Sequence, residues 1–244
     1  MITQYHRPTT LDDAVALVAR PDAVVVAGGT SVNAHPRRAP SAAIDLQALG
    51  LDGIDADGET VRIGATARLQ SFADSSLVPP VLRDLARREA PNTIRNMATI
   101  GGTIGAADPE SELLAGLLAF GARATIVRAG SPTEHLVSEL LDNPALLNGA
   151  IITGISVPSN GTGAADRTAR TPMDRPIVSA VAFRDASGTE RLAMTGVATS
   201  PALVDPANLA DLDPPSDFRG SSEYRKRLAE VLARRVAGAV EGGA

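Results

Sequence analysis

The 244-residue chain has no cysteine, so disulfides, iron–sulfur ligation and zinc–thiolate sites are excluded within it. Tryptophan is also absent, and two Tyr and four Phe bring the aromatic fraction to only 2%. The core must therefore be built from Ala, Val, Leu and Ile, and few rings are available to stack on a flat cofactor or a base. The three histidines, His6, His35 and His135, stand at no ligand-like spacing, which argues against a metal site. Clustered basic charge is scarce too. Lys226 is the only lysine and the net charge is −5, whereas neutralising phosphates along a nucleic acid needs grouped Lys and Arg. The one basic group, Arg225-Lys226-Arg227 with Arg234-Arg235, is interleaved with Glu223 and Glu230 and reads as a solvated helix face. No apolar run reaches membrane-spanning length and Met1–Arg7 lacks an apolar leader core, so a cytoplasmic protein is expected.

What remains is ordinary for a globular protein: 44% apolar and 21% charged residues, enough chain for one large domain or two small ones. Thr10 followed by Asp12 and Asp13 predicts a helix start, and Leu11, Ala14, Val15 and Val18 give it an apolar stripe that Pro21 ends. Ala23–Ala27 reads as a strand buried on both faces and Ala43–Leu46 as a second, so the first fifty residues look β-α-β-like. Residues 59–64 alternate as a half-buried strand, and Thr66 and then Pro79 or Pro80 open helices. Thr99 to Asp108 reads as loop, with a helix starting over 109–112. Further on, 123–128 and 150–157 read as strands, 132–141 as a helix, 177–183 and 191–199 as an antiparallel pair, and the chain from about Ser221 as a helix. The polar stretch 158–176 is expected to be a linker or mobile loop. Fold class is α+β. The domains expected are 1–160, in two lobes of about 1–55 and 56–160, a linker over 161–175, and a smaller domain over 176–244.

Two glycine-rich segments carry the chemistry. The first, Ala27-Gly28-Gly29-Thr30-Ser31-Val32-Asn33, follows a buried strand directly. Adjacent glycines let backbone approach an anion closely, and successive N–H groups turned inward form a nest for phosphate oxygens. A tight strand-to-helix turn that needs glycine for geometry alone is the commoner reason for a single Gly-Gly-Thr. The second, Thr99-Ile100-Gly101-Gly102-Thr103-Ile104-Gly105, repeats the pattern about seventy residues later. Neither matches the dinucleotide fingerprint or the phosphate loop, so the common nucleotide folds are disfavoured while diphosphate binding stays open. The acid-rich stretches 12–13, 52–59 and 205–217 read as solvated surface, and no nucleophile–base arrangement is present.

At these segments the chain resembles the FAD-binding medium subunit of the molybdenum hydroxylase family, which includes carbon monoxide dehydrogenase and xanthine dehydrogenase. Ile94-Arg95-Asn96-Met97-Ala98-Thr99-Ile100-Gly101-Gly102 is the most specific match. Tyr5-His6-Arg7-Pro8, Ala27-Gly28-Gly29-Thr30, Asp45-Leu46, Ile63-Gly64-Ala65-Thr66, Ile155–Pro158, Met173–Val178 and Phe218–Arg225 follow in family order. The resemblance implies a two-lobed FAD-binding region of the vanillyl-alcohol-oxidase type followed by a small α+β carboxy-terminal domain. It implies an FAD-dependent oxidoreductase subunit with no catalytic side chain of its own. Its partners would be a molybdopterin-binding large subunit that oxidises substrate and a [2Fe–2S] small subunit that passes electrons to the flavin, with NAD or another acceptor receiving them.

By that resemblance Ala27, Gly28, Gly29, Thr30, Ser31, Val32 and Asn33 with Thr99, Ile100, Gly101, Gly102 and Thr103 wrap the pyrophosphate. Asp108 and Glu112 stand beside the adenosine portion, Arg167 near the flavin, and Ile152 contributes from the strand before the linker. Thr103 replaces the usual Asn, Glu112 the common Asp, and the chain is shorter than typical members around the linker and last domain. A shortened scaffold subunit without flavin and a stand-alone flavin oxidoreductase are the competing readings.

Overall fold

The computed structural model describes residues 2–34, 41–171 and 174–242. Ile2–His6 (β1), Leu11–Val18 (α1), Ala23–Val26 (β2), Thr30–Ala34 (α2) and Ser41–Asp45 (β3) form the first lobe. Its sheet is wholly parallel in the order β1-β3-β2, which puts β3 in the middle and buries all five of its residues. Thr10 caps α1 by accepting from the Asp13 N–H, and Ala14, Val15 and Val18 pack on Ala42 and Ile44 as the apolar spacing predicts. The strand β1 has no counterpart in the sequence reading. Its residues are mostly exposed, so they carry no apolar signal.

The second lobe begins with Ile54–Asp57 (β4) and Thr60–Gly64 (β5). Leu69–Asp74 (α3), Pro80–Glu89 (α4), Asn92–Arg95 (α5), Ile100–Ala106 (α6) and Glu112–Ala119 (α7) follow. Arg123–Arg128 (β6), Ser131–Leu136 (β7), Val137–Asp142 (α8) and Ile151–Pro158 (β8) complete it. The five strands form an antiparallel sheet in the order β4-β5-β8-β6-β7. Every residue of α7 is buried, including Leu113, Leu114, Leu117 and Leu118. Each such leucine contributes about 1.5–3 kcal/mol of burial. A helix apolar all round belongs in the interior.

The third unit is Thr162–Thr168 (β9), Val178–Arg184 (β10), Glu190–Thr195 (β11), Ala202–Val204 (β12) and Ser222–Gly242 (α9). Its antiparallel sheet runs β12-β11-β10-β9. Val178, Ala180, Ala182 and Met194 face α9, while Val181, Phe183 and Ala193 join the core around α7. Phe120 and Phe183 stack across that junction with ring centroids 4.0 Å apart. The sheet is therefore sandwiched between α7 and α9, and its inner face shares one core with the second lobe.

Three expectations are corrected. Residues 162–168, placed in the linker, form strand β9, every residue of it half-buried. An edge strand has one free side, so a polar sequence suffices for it. Residues 132–141 are not one helix but β7 followed by α8. Pro132 is tolerated because β7 is a sheet edge, where a missing donor costs little. The stretch after Thr99 is helix α6 rather than loop, for reasons that belong to the site.

Candidate cofactor site

The two glycine segments meet. A Cβ built on Gly28 would stand 2.8 Å from the Met97 carbonyl carbon and 2.9 Å from the Ala98 Cα, and closer still to the Met97 oxygen. Real side chains do not fit there, so Gly28 is glycine because the backbone of 97–98 lies against it. Gly29 takes φ +71°, the left-handed region that glycine enters without strain. Ala27, just before, is fixed from the other side: its carbonyl accepts from the Gln47 side chain at 2.8 Å. Gln47 is itself placed by Asp45, a buried carboxylate that accepts from the Gln47 N–H at 2.9 Å and from the Tyr5 hydroxyl. That bond to Asp45, more than any other effect, holds the Tyr5 hydroxyl pKa above its ordinary value.

The second segment is held by a third, residues 64–69. Ile100 N–H donates to Ala67 O at 3.0 Å, Gly101 N–H to Ala65 O at 2.9 Å, and Leu69 N–H to Ala98 O at 2.9 Å. Ala65 N–H in turn reaches Thr153 O at 3.1 Å, and the adjacent Ile152 packs against the main core. Thr99 caps α6 by accepting from Gly102 N–H at 3.1 Å, and its carbonyl takes the Thr103 N–H at 3.0 Å. Helix α6 forms despite three glycines because capping and these tertiary bonds outweigh poor propensity. Gly101 is buried, and a Cβ there would meet the Ala65 Cβ and O, each at 2.8 Å.

The two segments therefore differ in what they offer an anion. Among the described residues, no acceptor meets the N–H groups of Gly28, Gly29 or Thr30. In the second segment, by contrast, the N–H groups of residues 100–103 all have partners within the chain. Gly28, Gly29 and Thr30 thus offer backbone donors with no acceptor among the described residues, whereas the second segment is a wall whose Thr99 is already engaged. The two segments expected around one pyrophosphate thus meet as an unequal pair in the N–H groups they leave available. Ser31 and Val32 continue into α2. His35 and the Asn33 side chain lie outside the described residues.

An open cleft runs along this junction, lined by Ala27, Gln47, Asp52, Thr66, Arg68, Ser71, Met97 and Thr99. The sequence reading did not single out Gln47, Asp52, Arg68 or Ser71. The signal for Arg68 and Ser71 was their place just after the Ile63–Thr66 motif.

The remaining expected residues lie at the far end of α6, about 10 Å of helix away at about 1.5 Å per residue. Asp108 accepts from Glu110 N–H and from the Arg175 guanidinium, each at 2.9 Å. Glu112 is buried and takes the Arg167 guanidinium at 2.5 Å, with Arg88 at 4.0 Å. Arg167 also donates to the Asp174 carbonyl at 2.7 Å. The pair spans α7 and β9, so it ties the third unit to the second lobe. Beneath it sits Glu89, whose carboxylate accepts from Leu113 N–H at 3.3 Å and lies 3.8 Å from Arg175. Burial pushes the Glu89 carboxyl above its ordinary range, against the lowering pull of Ser111, Arg175 and the Leu113 N–H. Ser111 is fully buried and caps α7 at Leu114 N–H, 3.0 Å away.

Arg225, read as part of a solvated face, is also corrected. It is 2% exposed and donates to the carbonyls of Ile177 and Gly196 and to Asp217.

Residues 1–160 match the family model of the FAD binding domain in molybdopterin dehydrogenase. The chain is 32% identical to YgfM of Escherichia coli (strain K12), an uncharacterized protein, over 95% of this chain and 94% of that one. It is 28% identical to the carbon monoxide dehydrogenase medium chain of Afipia carboxidovorans, over 95% and 94%. A solved structure of a Cu,Mo-CO dehydrogenase in its cyanide-inactivated form superimposes with a TM-score of 0.88 at 27% identity, over 100% of this chain and 99% of that chain. The carbon monoxide dehydrogenase of Hydrogenophaga pseudoflava lacking the Mo-pyranopterin moiety gives 0.89 at 25%, over 98% and 97%.

Proposed function

Because the chain belongs to the family of FAD-binding domains in molybdopterin dehydrogenases, the FAD-binding medium subunits of the molybdenum hydroxylases, we propose that it is the electron-transfer subunit of a heteromeric dehydrogenase. Its place is between a partner carrying [2Fe–2S] clusters and an external acceptor, while a large molybdopterin subunit oxidises the substrate. The carrying observation is the contact of Gly28 with the backbone of Met97 and Ala98. It sets three N–H groups with no acceptor among the described residues beside the wall of α6, where a diphosphate fits the donor chemistry.

In this reading Gly28, Gly29 and Thr30 hold the diphosphate through their backbone, and Ala27, backed by Gln47, fixes the start of the loop. Thr99 to Thr103, with Gly101 locked on Ala65, form the opposing wall. Asp108 keeps one carboxylate oxygen toward Arg175 and stands where the adenosine end of the cofactor would reach along α6. Glu112, expected beside the adenosine portion, and Arg167, expected near the flavin, are paired with each other, so at that end of the site they act as one ion pair that also ties the third unit to the second lobe. Bound FAD supplies reversible redox chemistry that no side chain here possesses.

The test is to titrate the purified chain with FAD and follow flavin fluorescence and absorbance after removal of unbound cofactor. Retention of flavin in a near-equimolar ratio supports the reading. Co-purification with a molybdenum subunit but no flavin uptake would make the chain a scaffold instead.

A further inference from the structure

We propose that Arg68 is the counter-charge of the cleft, a guanidinium that neutralises the diphosphate of a dinucleotide seated on Gly28–Thr30. The inference rests on the FAD reading of the site and adds a residue to it. Arg68 is the sole cation among the described residues lining the cleft, and the one acid there is Asp52. Without Arg68 that wall would carry net negative charge toward a ligand that is itself an anion.

Three observations separate Arg68 from an ordinary exposed arginine. Its backbone is pinned to the second glycine segment by a bridge to Thr99 and by Leu69 N–H on Ala98 O at 2.9 Å. Its side chain is aimed rather than free, because Nη1 donates to the carbonyl of Asn96. Asn96 precedes Met97, the residue that touches Gly28, so the guanidinium is anchored on the segment that packs against the first glycine loop. No carboxylate among the described residues lies within salt-bridge distance of it, unlike Arg167 and Arg175, whose charges are already matched. The planar fork of an arginine retains further N–H donors after one bond, which suits phosphate oxygens.

The experiment uses the full chain stripped of flavin, with FAD, ADP and riboflavin as probes. ADP carries the diphosphate without the flavin ring, and riboflavin the ring without the diphosphate. Arg68→Gln keeps an amide donor but removes the charge and shortens the side chain; Arg68→Lys keeps the charge. The expected result is that Arg68→Gln weakens FAD and ADP by about tenfold to a hundredfold, the range for a charge-assisted hydrogen bond. Arg68→Lys should recover much of that, riboflavin should be indifferent to both, and the salt dependence of FAD binding should flatten in the Gln variant. Unchanged FAD and ADP affinities in an Arg68→Gln protein of wild-type melting temperature would overturn the inference and leave the FAD reading standing. Failure of the wild-type chain to take up FAD would remove that reading, and this inference with it.

Discussion

Replacing Gly28 by alanine adds one methyl group to the tightest point between the two glycine segments. The new Cβ would lie 2.8 and 2.9 Å from backbone carbons of Met97 and Ala98, against an ordinary carbon–carbon contact of about 3.5–4.0 Å. Backbone cannot rotate away as a side chain can, and the Met97 oxygen lies closer still, so the segments must part by at least about 0.7–1 Å. Overpacking of this kind costs about 1–3 kcal/mol. At about 2–4 °C per kcal/mol for a chain of this size, melting falls by about 2–12 °C, and the fold survives. Cofactor binding suffers more in proportion. The N–H groups of residues 28–30 ride on the displaced loop, and misaligning even one charge-assisted bond costs about tenfold to a hundredfold in affinity. Gly188→Ala is the matched control. It sits at φ +86° in the β10–β11 turn with open space around it, so it incurs about 1–2 kcal/mol of backbone strain far from the cleft. Thermal melts by circular dichroism paired with FAD titration separate the two. If Gly28→Ala binds FAD as the wild type does, the loop contact does not organise the site and the argument fails.

Two further outcomes follow from the ion pairs. Glu112→Gln should destabilise the chain by about 3–5 kcal/mol in chemical denaturation, because it strands Arg167 in a mostly buried position. A loss below about 1 kcal/mol would show the pair to be solvent-screened. At Asp217, burial alone would raise the carboxyl, but Arg225, the Arg219 N–H and the Arg219 side chain outweigh it and hold the group at about 2. A folded value below the ordinary 3.8 stabilises the native state above the unfolded value and loses that effect as pH falls toward 2. The stability gap between wild type and Asp217→Asn should therefore be full above about pH 4 and shrink toward pH 2. A gap that grows as pH falls would contradict the assignment.

Much of the fold was legible because local chemistry and tertiary demand agree. The Thr10 cap and apolar stripe of α1, the alternation of β5 and the β10–β11 pair stand where patterning puts them, whereas β2 is a strand as expected but lies at a sheet edge with Val25 exposed rather than buried on both faces. The failures share one cause. At α6, three glycines argue for loop, and the helix exists because Ala65 and Ala67 take its first donors. At β7 and β9 the strands are edges, so Pro132 and a polar run were admissible where a central strand would reject them. Arg225 looked like surface because sequence cannot show that Asp217 and two carbonyls converge on it.

Residue order alone determined that this chain has no thiol ligands and has two glycine-rich segments in the order of a flavin-binding family. Only the tertiary structure decided that those segments touch and that they are unequal partners. It alone matched Arg167 to Glu112 and left Arg68, on the cleft wall, with no carboxylate partner among the described residues. The reason is physical: a glycine's permissiveness is written in its own residue, but whether an N–H or a charge is free depends on which distant groups fold against it.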